Sequence, residues 1–148
     1  MNYILFICGH NAGRSQMAQA FFNVEKKKFP YVDKNYEAVS AGTRPGTSIN
    51  PTVIEAMKEI NIDMNDASIY HPKPLTDGFI ISKGKNLKRA IIACDDSCVL
   101  PKGLPQITLE RWNLPDPHNQ PLEIVRKVRN AVKTNIIKLI KELDTFLI

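Results

Sequence analysis

Cysteine is scarce in this chain of 148 residues, which carries three. So small and odd a number excludes the disulfide scaffold of a small secreted protein. Apolar runs are short, none approaching the ~20 residues that cross a bilayer. The opening Met1-Asn2-Tyr3-Ile4-Leu5-Phe6-Ile7 lacks the basic region and small-residue cleavage site of a secretion signal, so a cytoplasmic protein with no membrane partner is expected. Repeats, low-complexity tracts and linkers are missing too. Residues 1–148 therefore read as one domain, long enough to enclose a single hydrophobic core.

A net charge of +5 is what remains after 20 basic and 15 acidic residues are set against each other. That balance suits nucleic acid, an anionic surface or a small anionic substrate. No groove-reading motif accompanies it, so no nucleic-acid partner is expected. Most basic residues of the last forty alternate with apolar ones at helical spacing, and Lys83 to Arg89 reads as a solvated surface.

Residues 3–8 form a short apolar run closed by Gly9, as in a buried strand. From Arg14 to about Lys27, Met17, Ala18, Phe21, Phe22 and Val24 recur at helical spacing, with the break placed before Pro30. Residues 36–43 read as a second strand. Asn50-Pro51 marks a helix start, Asn capping and Pro at the first helical position, with Val53, Met57 and Ile60 as the buried stripe. A short helix is expected near Thr76–Ser82, a third strand at Ala90–Ala93 and a fourth at Gln106–Leu109. From about Pro121, Val125, Val128, Val132, Leu139 and Leu143 share one face of a long amphipathic helix. Strands alternating with helices predict an α/β fold of three layers, a central four-stranded parallel sheet flanked by helices. Ligands of such sheets sit beyond the carboxyl ends of the strands, where this reading places both Cys8 and Cys94.

The segment Cys8-Gly9-His10-Asn11-Ala12-Gly13-Arg14-Ser15 joins the first strand to the first helix. A strand, a tight loop and a helix turn backbone N–H groups inward to make a concave anion site. Gly9 and Gly13 permit the required backbone, and Arg14 offers a planar fork matching two oxygens of a phosphate-like ion. Ser15 can donate to the Cys8 sulfur, and Asn11 can brace the loop. A cysteine placed there feels the helix N-terminus, an arginine and several donors, each favouring the charged thiolate. Ala12 completes the ring of anion-binding positions. His10 either adds a donor to the anion or points outward; both readings stay open.

With Gln16-Met17-Ala18 following, Cys-x5-Arg-Ser at Cys8, Arg14 and Ser15 resembles the low-molecular-weight protein tyrosine phosphatase superfamily, nearest to its thioredoxin-coupled arsenate reductase branch. The similarity runs through Ser40-Ala41-Gly42-Thr43, Lys73-Pro74-Leu75-Thr76, Cys94 to Cys98 and Trp112 to Pro117. It implies that Cys8 attacks arsenate or another phosphate-like oxyanion and that Asp116, between Pro115 and Pro117, protonates the leaving oxygen. It further implies that Cys94 and Cys98 relay oxidation away from Cys8 as a redox-active disulfide, reopened by thioredoxin or another thiol reductant.

The chain departs from that pattern in three places. Gly13 stands where an extra cysteine often precedes the arginine, and Val99 replaces the proline after the second relay cysteine. His118 and Asn119 follow Pro117 where tyrosine phosphatases carry tyrosines, which favours a small inorganic anion over phosphotyrosine. A Cys-x3-Cys pair can also hold zinc, but no matching second pair accompanies it, so no metal is assigned. Arsenate reduction is the expected activity, by a monomer without a bound organic cofactor. The alternative is a phosphatase acting on phosphotyrosine or other phosphomonoesters; a non-enzymatic anion or redox sensor is the third reading.

Overall fold

Four successive side chains, Ile4 to Ile7, are at most 1% exposed, because strand β1 (Asn2–Cys8) runs through the middle of the sheet with both faces covered. The structure is a computed structural model that describes residues 1–94 and 108–144. On one side β1 pairs in parallel with β2 (Tyr36–Gly42), and on the other with β3 (Leu87–Ile92). Strand β4 (Thr108–Arg111) extends the sheet beyond β3, giving the order β2-β1-β3-β4. The α/β class and the four-stranded parallel sheet are as expected.

Helix α1 (Arg14–Glu25) buries Met17, Ala18, Phe21 and Phe22 against the sheet, and each large side chain contributes about 1.5–3 kcal/mol by leaving water. Pro30 does not merely end that segment. It opens a further short helix, α2 (Pro30–Asn35), where its missing N–H is no loss. Helix α3 (Pro51–Lys58) starts as predicted, the Asn50 side chain accepting from the Thr52 N–H at 3.0 Å. Its buried face is Val53, Ala56 and Met57; Ile60 lies past the helix end and is only partly buried. Asp77 caps the short α4 (Gly78–Ser82). Strand β4 runs two residues past its predicted end, to Arg111, and residues 106 and 107 of the prediction lie outside the described residues.

The closing helix α5 (Leu122–Asp144) buries all five predicted positions, with Ile136 and Ile140. It is clamped to the end of α3 by Glu59, which accepts from Arg126 Nε at 3.0 Å and from Arg129 Nη1 at 2.8 Å. Hydrogen bonding from Arg126, then Arg129, holds the Glu59 carboxyl down at about 2. A carboxyl depressed by folding stabilises the fold above its unfolded value, near 4.3, and loses that contribution as pH falls through the folded value. Glu59→Gln is therefore expected to melt below the parent at pH 7. The gap should close between about pH 4.5 and pH 2, as read by thermal unfolding followed by circular dichroism. Among the described residues, no helix is long and apolar enough to cross a membrane.

Candidate active site

The carbonyls of the 8–15 loop are tied from behind. Cys8, Gly9 and His10 accept from the N–H groups of Thr43 (3.1 Å), Arg44 (2.9 Å) and Gly46 (2.9 Å). Ala12 accepts from Asn50 at 2.9 Å and Gly13 from Met17 at 2.8 Å. A trans peptide points its N–H opposite to its C=O. Five carbonyls held outward therefore turn the N–H groups of Gly9, His10, Asn11, Gly13 and Arg14 to the loop's other side, facing the cleft. Convergent N–H groups of this kind are what an anion cradle requires.

Gly42, at the end of β2, makes the cradle possible. A Cβ there would meet the Gly9 carbonyl oxygen at 2.6 Å and the Asn11 backbone nitrogen at 3.1 Å. Since both atoms are main chain, Gly42→Ala must displace the loop itself. It is expected to destabilise the fold by about 1–3 kcal/mol and to remove most activity. Urea midpoints measured beside kcat/KM check this.

Asn11 is the brace. It sits at φ 53°, a left-handed conformation asparagine tolerates better than other side-chained residues. Its Oδ1 accepts from Gln16 Nε2 (3.0 Å) and from the Lys73 N–H (3.1 Å). Its Nδ2 donates to Ser15 Oγ at 2.7 Å, and Ser15 Oγ lies 2.8 Å from Cys8 Sγ. With its oxygen accepting from Asn11, the serine hydroxyl has its proton available for the Cys8 sulfur. Cys8 forms the floor of the cleft and is 2% exposed.

Arg14 is 6% exposed and reaches the opposite wall, donating from Nη1 to the Leu114 carbonyl at 2.9 Å. Its Nη2 stands 3.9 Å from Asp116 Oδ1. The 114–118 loop is further held by Asn50 Nδ2, donating to the Pro117 carbonyl at 3.4 Å, and by the Pro117 ring against Gly13. A Cβ on Gly13 would come within 2.9 Å of Pro117 Cγ, so the space a side chain would need at position 13 is already filled. Asp116 itself accepts from the His118 N–H at 2.9 Å, and its carboxylate is nearly half exposed above the cleft.

Cys94 follows β3 by two residues, and Ala93 N–H donates to the Ile7 carbonyl at 2.7 Å. That places Cys94 beside Cys8, the two packing with Ile92 as one small buried cluster. Cys94 is disulfide-bonded, whereas Cys8 is a free thiol. Cys98, the third predicted member, lies outside the described residues. Among the described residues, no group of three or more His, Cys, Asp and Glu side chains is placed to hold a metal ion.

The cleft, about 430 Å³, contains more than the motif announced. Thr47, Ser48 and Asn50, from the stretch between β2 and α3, and Thr52, in the first turn of α3, form one polar wall. Such loop positions have no periodicity to betray them, and Asn50 was legible only as a helix cap. In the sequence His118 stands out only as the residue found where tyrosines follow the proline, with no signal for a place beside His10. Its ring lies 5.6 Å from that of His10, so an exposed imidazole pair borders the mouth and His10 belongs to the cleft. Gln16 and Lys73, which hold Asn11, also carried no signal for that role.

A parallel α/β sheet with a thiol at the first strand end, followed by a loop of inward-turned N–H groups, places the chain in a class of α/β enzymes. The chain belongs to the low molecular weight phosphotyrosine protein phosphatase family, whose pattern matches residues 3–146. It is 33% identical over 134 residues to the arsenate reductase of Staphylococcus aureus (strain Newman), spanning 90% of this chain and 92% of that one. Identity to the arsenate reductase of Staphylococcus xylosus is 31% over 134 residues, with the same shares covered. Among solved structures, an arsenate reductase in the phosphate binding state matches with a TM-score of 0.79 and 27% identity, over 96% of this chain and 98% of that one. A low molecular weight protein tyrosine phosphatase from T. tengcongensis shares the fold, with a TM-score of 0.75 and 24% identity. The resemblance drawn from the motifs is borne out along nearly the whole chain.

Proposed function

We propose that this protein is an arsenate reductase, acting as a cytoplasmic monomer in arsenical detoxification. The observation that carries the reading is that Cys8 and Cys94 share one small buried cluster with Ile92 at adjacent strand ends, Cys94 being disulfide-bonded and Cys8 free. A hydrolase needs only the nucleophile; a second thiol beside it, engaged in a disulfide, fits a relay.

Arsenate enters the cradle with its equatorial oxygens on the inward N–H groups and Arg14. The Cys8 thiolate attacks arsenic, a sulfur–arsenic bond forms, and an oxygen leaves as water on taking a proton from Asp116. The Cys94 thiolate then attacks the Cys8 sulfur. A sulfur–sulfur bond forms, the sulfur–arsenic electron pair returns to arsenic, and As(V) departs as As(III) arsenite. Cys98 next attacks the Cys94 sulfur, frees the Cys8 thiolate and leaves a Cys94–Cys98 disulfide. Two electrons from an external dithiol, thioredoxin in this reading, reduce that disulfide.

Phosphate can take only the first step, because the phosphorus–sulfur bond gives way to water rather than accepting electrons. Weak hydrolysis of phosphomonoesters should therefore accompany reduction. The reading is tested by supplying thioredoxin, its reductase and NADPH, and following NADPH oxidation with arsenate added. Sustained arsenate-dependent oxidation is expected; brisk aryl phosphate hydrolysis with no arsenate-dependent oxidation would favour the phosphatase.

A further inference from the structure

A second cavity of about 560 Å³, sharing no lining residue with the cleft that holds Cys8, is not used by the proposed chemistry. Lys73 lines it and is 6% exposed. An ammonium has three protons to donate, yet among the described residues Lys73 Nζ finds one acceptor, the His71 carbonyl at 3.3 Å. Asp77 attracts it without reaching ion-pair distance, and burial pulls the ammonium below the ordinary lysine value. A charge this deeply buried with donors to spare is costly unless an anion completes it. The rest of the lining is amphipathic. Ile69 and Phe79, each 53% exposed, are large apolar side chains beside the polar Ser68 and Asn23. Glu37 and Asp77 also border the cavity and would oppose a multiply charged ligand, which favours a single negative charge.

The cavity is wired to the catalytic loop. The Lys73 N–H holds Asn11 Oδ1, and Gln16 Nε2 bridges the same oxygen and the His71 carbonyl, both at 3.0 Å. Among the described residues Gln16 Oε1 is buried with no partner, so this junction is not fully satisfied. Asn11 in turn holds Ser15, which lies against Cys8.

We propose that this cavity binds a small monocarboxylate with an apolar body, its headgroup on Lys73 and its body between Ile69 and Phe79, and that occupancy alters Cys8 through Lys73, Asn11 and Ser15. The site goes beyond the reductase reading and does not depend on it.

Phenylacetate is the probe, titrated calorimetrically into the full-length protein with its Cys94 disulfide intact. One equivalent should bind, and saturating arsenate should not displace it. Lys73→Met should weaken binding by about tenfold or more, as expected for a charge-assisted contact. Ile69→Ser, at a position 53% exposed and absent from the lining of the cleft that holds Cys8, should weaken binding several-fold while leaving basal turnover unchanged. With Cys8 the free thiol, its alkylation rate by iodoacetamide reads the coupling directly and should change by at least about twofold on saturation. Failure to bind, equal binding by both variants, or displacement by arsenate overturns the site. Binding with an unaltered alkylation rate overturns the coupling.

Discussion

Cys94→Ser is expected to lower arsenate turnover by on the order of a thousandfold while leaving aryl phosphate hydrolysis within about twofold of the parent. A serine hydroxyl cannot attack the Cys8 sulfur and release arsenite, so the reaction halts at the arsenylated thiol. The first step is untouched, since Arg14, Asp116 and the cradle make no use of position 94. Serine is also close in volume to cysteine, and Cys94 packs in a small cluster rather than in the main core, so the fold should survive. Running the NADPH-coupled assay beside p-nitrophenyl phosphate hydrolysis checks both halves at once. Equal loss of the two activities would instead make Cys94 a structural support of the loop.

Arg14→Lys should be nearly as damaging, and to both reactions. Arg14 does two things with one planar group. It lines the cleft beside Cys8, and it fastens the loop bearing Asp116 through the Leu114 carbonyl at 2.9 Å while standing 3.9 Å from Asp116. Lysine keeps the charge but has one nitrogen where the guanidinium has a fork. Loss of a preorganised oxyanion donor alone is worth about 10²–10³ in rate, and misplacement of Asp116 adds to it. The second contribution has its own signature. With the proton donor out of place, phenyl phosphate should lose more rate than p-nitrophenyl phosphate, whose leaving group needs less protonation. A uniform loss across both esters would confine Arg14 to anion binding.

The parts of this protein written in local sequence were the parts that could be read. Strand β1, the Gly9 to Ser15 loop, the Asn50 cap and the apolar face of α5 are each fixed by residues within a few positions of one another. Pro30 shows the limit of such reading. A proline forbids the interior of a helix and favours its first turn, and only the tertiary setting decides which applies. Strand β4 has the same difficulty, since Leu109 is exposed and Glu110 and Arg111 are polar, leaving little alternation to register. The site divides likewise. Cys8, Arg14 and Asp116, which the structure brings to one cleft, are candidates the sequence offers because the proposed chemistry dictates residue type. The clasp on Asn11 joins residues 62 positions apart through the Lys73 backbone N–H, an atom every residue but proline carries, so no side-chain signal existed. His118 beside His10, and Thr47 to Thr52 on the cleft wall, are likewise products of folding rather than of pattern.

At the centre of the account stands a thiol that attacks an oxyanion and hands its oxidation to a neighbour. The most direct measurement starts from fully reduced protein, adds one equivalent of arsenate without any external reductant, and maps the cysteines by mass spectrometry of peptides after quenching with an alkylating agent. The account predicts one arsenite released per chain, Cys8 recovered as the alkylated thiol and Cys94 joined to Cys98. Three alkylated cysteines and no arsenite would contradict it.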